Sequence, residues 1–282
     1  MFAIRSLGAC ALTAALALTG LSGNEARADQ LEDLVSRGEV TVALAHEPPY
    51  TDYQGSGAVG GAAPTLLMRI MSELGVEKIK PQLMEFAALI PSLQAGRADV
   101  ISTGLYINPE RCKAILFSEP DLCVSEGFAV VAGNPRKIQG LADIAADGGI
   151  IYGVCSGCSA ERRAVEMGVP RDRIITVPDH QNGIKMLIDG RVDVYAAPDL
   201  ALRATVKNMG LDNVEVVEAQ GEPVKCSGVG FRRGAETLRD AFDAKLKALK
   251  ESGEYDEIVS EYGFNPEFAK TVTREQLCSA GG

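Results

Sequence analysis

The sequence predicts an α/β chain folded as two lobes of similar build, with the chain passing between them twice. The first sign is a phrase used twice, LQAGRADV at 93–100 and LIDGRVDV at 187–194. In each, an apolar stretch with helical spacing runs into a glycine, and Arg-x-Asp-Val then leads into a β-type run. Gly96 and Gly190 stand where a helix-ending glycine belongs, because glycine enters the left-handed conformation without a Cβ penalty. The second sign is the alternation of strand and helix patterns on both sides of these phrases. The third is a pair of extended segments near 127–134 and 221–229, which read as crossings between lobes. Ligands of open α/β sheets bind beyond the carboxyl ends of the strands, and two lobes joined by two crossings can close on one ligand.

The elements follow in order. Residues 1–28 read as an export signal, with Arg5 as a short positive region, an apolar run from Leu7 to Leu21, and Ala26-Arg27-Ala28 as a small-residue cleavage site. Cys10 precedes most of that run, so no lipid anchor is expected. Val40–Ala45 reads as a buried parallel strand ending at the loop HEPPY (46–50). Residues 64–75 form a helix with Pro64 in its first turn and Gly75 as a stop, and 86–96 form the helix before the first Gly-Arg phrase. A strand over 125–134 leaves the first lobe, and 141–222 alternate strand and helix to build the second. A strand over 223–231 returns, and 235–262 supply one or two amphipathic helices. The expected division is 29–127 and 223–282 for one lobe and 128–222 for the other.

The chain has 282 residues and a net charge of −10. Without the leader, 26 basic residues face 37 acidic ones, giving −11. That balance disfavours nucleic acid and anionic membrane as partners. Of seven cysteines, six lie beyond Cys10, an even number that suits disulfides in an exported protein. Their spacing suggests Cys112 with Cys123, Cys226 with Cys278, and Cys155 with Cys158. The two histidines, His46 and His180, show no ligand spacing with each other or with the cysteines. No phosphate loop, Ser-His-Asp arrangement or zincin motif is present. Neither a metal nor a cofactor is expected.

The chemistry gathers at strand ends. Glu47 and Tyr50 flank two prolines that fix the backbone after the first strand. Phe86 opens a helix, Tyr106 follows the Val100 strand, and Arg111 comes five residues later. Aromatic faces suit a cationic or amidinium-bearing ligand, and the arginine fork suits its carboxylate. In the second lobe Ser159 opens a helix whose free N–H groups favour the same carboxylate. Asp199 ends the second Gly-Arg strand, placed either to receive an ammonium or to cap a helix. Cys155-Ser156-Gly157-Cys158 also admits a thiol oxidoreductase, since a thiol at a helix N-terminus has a lowered pKa.

EPPY (47–50), FAALIPSLQAGRAD (86–99) and NPER (108–111) resemble the bacterial extracellular solute-binding proteins that feed polar amino-acid ABC importers. The resemblance runs from Val40 through Gly263 and implies the type II periplasmic-binding-protein fold. Pro109–Cys112, VPRDR (169–173) and TREQLC (273–278) place the chain nearest the ectoine and hydroxyectoine binders. That branch implies a ligand enclosed by Glu47, by Tyr50, Phe86 and Tyr106, and by Arg111. It further implies a periplasmic monomer that hands a small zwitterionic or cationic solute to a membrane ABC permease. Amino-acid binders usually carry a small hydroxyl residue where Tyr106 stands, whereas Asp199 matches their ammonium-binding position. A binder of a polar, basic or diamino amino acid is therefore the alternative. A dehydratase-like enzyme using Glu47 as general acid is a remote one, because no acid and base pair at convincing spacing.

Overall fold

The computed structural model describes residues 29–54 and 58–279; the export signal expected over 1–28 lies outside them. Two five-stranded sheets form the centres of two lobes. In the first, the order is Lys78–Leu83, Glu39–Leu44, Val100–Ile101, Gly230–Phe231 and Leu116–Phe117. The first three strands are parallel and the last two pairings are antiparallel. In the second, the order is Ile174–Val177, Tyr152–Cys155, Val194–Pro198, Glu126–Val131 and Val214–Glu218. Again the first three run parallel and the remaining pairings are antiparallel.

The repeated phrase does the same structural work in both lobes. Gly96 and Gly190 take φ of +69° and +68°, and the next N–H reaches back to close the helix, Arg97 to Ser92 O and Arg191 to Met186 O. The aspartate two residues on then pins the neighbouring strand. Asp99 accepts from Thr41 N at 2.9 Å, and Asp193 accepts from Ile151 N at 2.8 Å. The two arginines of the phrase are exposed, so the glycine and the aspartate carry its meaning.

Several expectations shift in detail. The 125–134 strand lies wholly in the second sheet as Glu126–Val131, so the crossing falls one step earlier, after Cys123–Val124. The 223–231 segment is two short strands. Lys225–Cys226 pairs with Cys123–Val124, and Gly230–Phe231 joins the first sheet. Residues 86–96 begin as a 3-10 turn, Phe86–Ala88, before the helix Leu89–Gln94. The 235–262 stretch is two helices, Glu236–Ser252 and Glu254–Glu261, parted by Gly253 at φ +85°. Leu238, Phe242, Leu246 and Leu249 recur at helical spacing and are buried in the first lobe's core.

Two of the three expected disulfide pairings are overturned. The bridges are Cys112–Cys278, Cys123–Cys226 and Cys155–Cys158. Cys123 and Cys226 stand directly opposite each other in the antiparallel ladder between the crossings, with Cα atoms 4.0 Å apart. Cys112 lies on the helix Pro109–Ala114, against which the tail helix Arg274–Ser279 packs. Chain separation alone does not show which elements become neighbours.

Candidate functional site

The carboxyl ends of the parallel strands in both sheets face one cleft. From the first lobe come Glu47, Phe86, Gly104, Tyr106 and Arg111; from the second come Cys155, Cys158, Ser159 and the stretch 196–198. The innermost space is narrow, about 20 Å³. It opens past Phe86 and His180 to a mouth of about 370 Å³, and past Tyr106 to a second cavity of about 230 Å³.

Arg111 is held by the helix Pro109–Ala114, whose Asn108 cap accepts from Arg111 N at 2.9 Å. Its guanidinium donates to Tyr106 O at 2.9 Å and, across the cleft, to Gly157 O at 3.0 Å. The Phe86 ring centroid lies 5.5 Å away. Burial lowers its pKa to about 10, so it remains a cation at neutral pH.

Glu47 is 3 % exposed. Its Oε1 lies 3.2 Å from His180 Nε2, and His180 Nδ1 lies 2.9 Å from the Tyr195 hydroxyl. Gly104 stops directly under Glu47, where a Cβ would come within 2.5 Å of Oε2. Gly104→Ala is therefore expected to displace Glu47 and weaken ligand binding about ten-fold by calorimetry, the scale of an overpacking penalty of about 1–3 kcal/mol.

The structure sets two of the site residues expected from sequence back from the cleft and keeps a third in it. Tyr50 is wholly buried, edge-on to Phe264 at 4.8 Å between ring centroids, and belongs to the core rather than the cleft wall. Asp199 is the first residue of the helix Asp199–Asn208 and does not line the cleft. Its carboxylate is held by Arg203 four residues on, at 3.0 Å. Ser159 does line the cleft, at the start of the helix Ser159–Glu166, beside the Cys155–Cys158 bridge. The bridge closes the loop whose Gly157 carbonyl meets Arg111.

Two residues were missed. His180 carries a second-lobe contact to Glu47, and its only sequence signal was a place after the strand Ile174–Val177. Glu126, 8 % exposed, lines both the cleft and the cavity beyond it. Its signal was a carboxylate opening an otherwise apolar strand. Burial pushes its pKa up to about 7, opposed by Lys225 and by the Tyr106 hydroxyl and reinforced by Glu222 and Glu47. The Tyr50 and Tyr106 hydroxyls lie side by side near Glu126 without a well-formed hydrogen bond.

The raised Glu126 pKa fixes a sign. The folded protein keeps this proton up to about pH 7 while the unfolded chain loses it near 4.5. Unfolding therefore releases a proton in that window, and stability falls as pH rises through it. Asp121, raised by burial to about 6, acts in the same direction. Glu126→Gln is expected to stabilise the ligand-stripped protein by about 1–3 kcal/mol at pH 8 and to change little at pH 4, read as the difference in Tm from wild type.

A guanidinium, a buried carboxylate and aromatic faces converging between two α/β lobes define a two-lobed binding protein for a small charged solute. The family description "Bacterial extracellular solute-binding proteins, family 3" matches residues 40–266. The chain belongs to that family, and its curated relatives include periplasmic binding proteins of amino-acid ABC transporters. It is 32 % identical to the "Probable amino-acid ABC transporter periplasmic-binding protein" of Sinorhizobium fredii, over 95 % of this chain and 92 % of that one. Among solved structures, EhuB in complex with hydroxyectoine aligns with a TM-score of 0.86 at 46 % identity, covering 89 % of this chain and 99 % of that chain. An ancestral arginine-binding protein bound to arginine aligns with a TM-score of 0.72 at 28 % identity, covering 80 % and 99 %. Among the described residues, no helix is long and apolar enough to cross a membrane, and no group of three or more His, Cys, Asp or Glu could hold a metal ion.

Proposed function

We propose that this protein captures ectoine-type compatible solutes, ectoine or hydroxyectoine, by closure of its two lobes and delivers them to an ABC permease. The observation that carries the reading is the buried Arg111 guanidinium over the Phe86 ring, in one cleft with Tyr106 and Glu47. The arginine takes the carboxylate bidentately, and the aromatic faces and Glu47 take the amidinium. The likeness to hydroxyectoine-bound EhuB supports it. We further propose that 1–28 is removed near Ala28, that 128–222 is inserted into a lobe made of 29–127 and 223–282, and that the protein works as a monomer.

Closure has visible fastenings. His180 meets Glu47, Gly157 O meets Arg111, and Arg162 pairs with Glu110. Each joins one lobe to the other, and the first two involve groups that line the cleft. A ligand bound there would tighten these same contacts, so binding and closure are one event.

A second reading, an arginine-like or diamino acid as ligand, draws on Glu126. That carboxylate restores two negative groups against one arginine, the balance that Asp199 no longer provides. A thermal-shift titration of ligand-stripped protein separates the two. At a hundred times its dissociation constant a ligand adds about 2.7 kcal/mol of stability. Ectoine and hydroxyectoine are expected to raise Tm, and arginine, histidine, glutamine and diaminobutyrate to leave it in place. The reverse pattern would replace the ectoine reading with the second one. Asp199→Val is expected to bind as wild type does, because that carboxylate is engaged with Arg203.

A further inference from the structure

The cavity of about 230 Å³ at the hinge is larger than the innermost space of the cleft, which it adjoins and with which it shares Tyr106, Glu126, Ser159, Ala160 and Ala196. Its walls are largely apolar, with Ile107, Phe128, Leu141, Val224 and Leu277 facing in. The charged side chains around it are mostly matched. Arg163 pairs with Glu222 at 3.0 Å, and Arg162 with Glu110 and Glu166. At the junction with the cleft stands Glu126, joined by a Tyr106 hydroxyl that is buried and has no partner at bonding geometry. Lys225, also on the wall, is a cation that favours the ionised form of Glu126.

A buried carboxylate at such a junction recognises a cationic nitrogen, and an apolar space behind it accepts whatever that nitrogen's neighbouring atoms carry. We propose that the hinge cavity is a second subsite, taking an alkyl arm on the cationic group of a ligand whose carboxylate is held by Arg111. The ligand class is then wider than unadorned ectoines. It includes amidinium rings with a longer alkyl substituent and N-alkylated amino acids. Glu126 joins Glu47 in holding the cationic group, the Tyr106 hydroxyl gains a partner, and the arm runs along Phe128 and Val224. This rests on the cleft binding a carboxylate-bearing cation as proposed above, whichever member of that class it prefers.

The test is calorimetry at pH 8 with two matched pairs. One is ectoine and its ring homologue with propyl in place of the amidinium methyl. The other is L-arginine and Nα-propyl-L-arginine. With ectoine as ligand, the propyl homologue is expected to bind about ten-fold more tightly, from two further buried methylenes. Val224→Phe, which fills the cavity without reaching the cleft, should erase that gain and leave ectoine affinity within about two-fold. Glu126→Gln should weaken both compounds by about ten-fold or more. Ectoine binding with the propyl homologue ten-fold weaker would overturn the subsite, as would a gain that survives Val224→Phe. Should arginine bind and ectoine not, the ectoine reading falls, and the arginine pair decides the subsite by the same criteria.

Discussion

Arg111→Ala is expected to weaken ligand binding by at least about a hundred-fold. The guanidinium is buried, donates to Tyr106 O at one edge, and lies 5.5 Å from the Phe86 ring centroid. A ligand carboxylate entering this space leaves water for a site where Arg111 is the principal cation. Truncating one member of such a pair costs about 2–5 kcal/mol, much of it from the charge left without a partner. The loss should appear in the dissociation constant by calorimetry. The substitution also frees the Tyr106 and Gly157 carbonyls, but it removes a cation whose lowered pKa shows that burial is costly. These terms oppose each other, so the ligand-stripped Tm should move by only a few degrees. Arg111→Lys keeps the charge without the fork and should recover only part of the affinity. Unchanged affinity in Arg111→Ala would remove Arg111 from the site.

Replacing both Cys123 and Cys226 by serine is expected to cost about 4 kcal/mol of stability. The bridge closes a loop across a sequence separation of 103 residues. Forbidding the open forms of so long a loop in the unfolded chain stabilises the fold by about that amount. For a chain of this size the Tm should drop by about 10 °C. The same bridge clamps the ladder between the two crossings, where Cys226 lies on the wall of the hinge cavity. Ligand affinity should fall as well, because the closed arrangement is less favoured when the ladder loosens. A drop in Tm of less than about 2 °C would show that the ladder's hydrogen bonds and neighbouring core suffice without the bridge.

Much of the architecture was legible in the chain. The repeated Gly-Arg-x-Asp-Val phrase marked two equivalent helix-to-strand junctions, and the loops bearing Glu47, Phe86, Tyr106 and Arg111 fell at strand ends as expected. What the chain could not show was direction and depth. Tyr50 shares the loop of Glu47, but at the end of a Pro-Pro turn its ring passes inward to Phe264. Asp199 has an arginine one helical turn away, a local partner that takes precedence over a distant ligand. Glu126 begins a strand that sequence reading assigned to the crossing itself, so its burial between two cavities was invisible. The two overturned disulfide pairings have a related reason. Pairing depends on which strands and helices meet in space, and Cys112 meets a tail anchored through Arg274 to Asp243 and to Phe117 O.

The 4.0 Å separation of the Cys123 and Cys226 Cα atoms means that the chain leaves and re-enters the first lobe at one point. A segment whose ends meet can be an insert, added or replaced without disturbing the body that hosts it. In the proposed reading the host carries the arginine that takes the carboxylate, the aromatic faces and both long-range bridges. The insert carries Ser159, His180, the short Cys155–Cys158 loop and most of the hinge cavity's wall. Exchanging that single uninterrupted stretch between relatives would therefore alter what the far side of the ligand meets while the grip on its carboxylate stays the same.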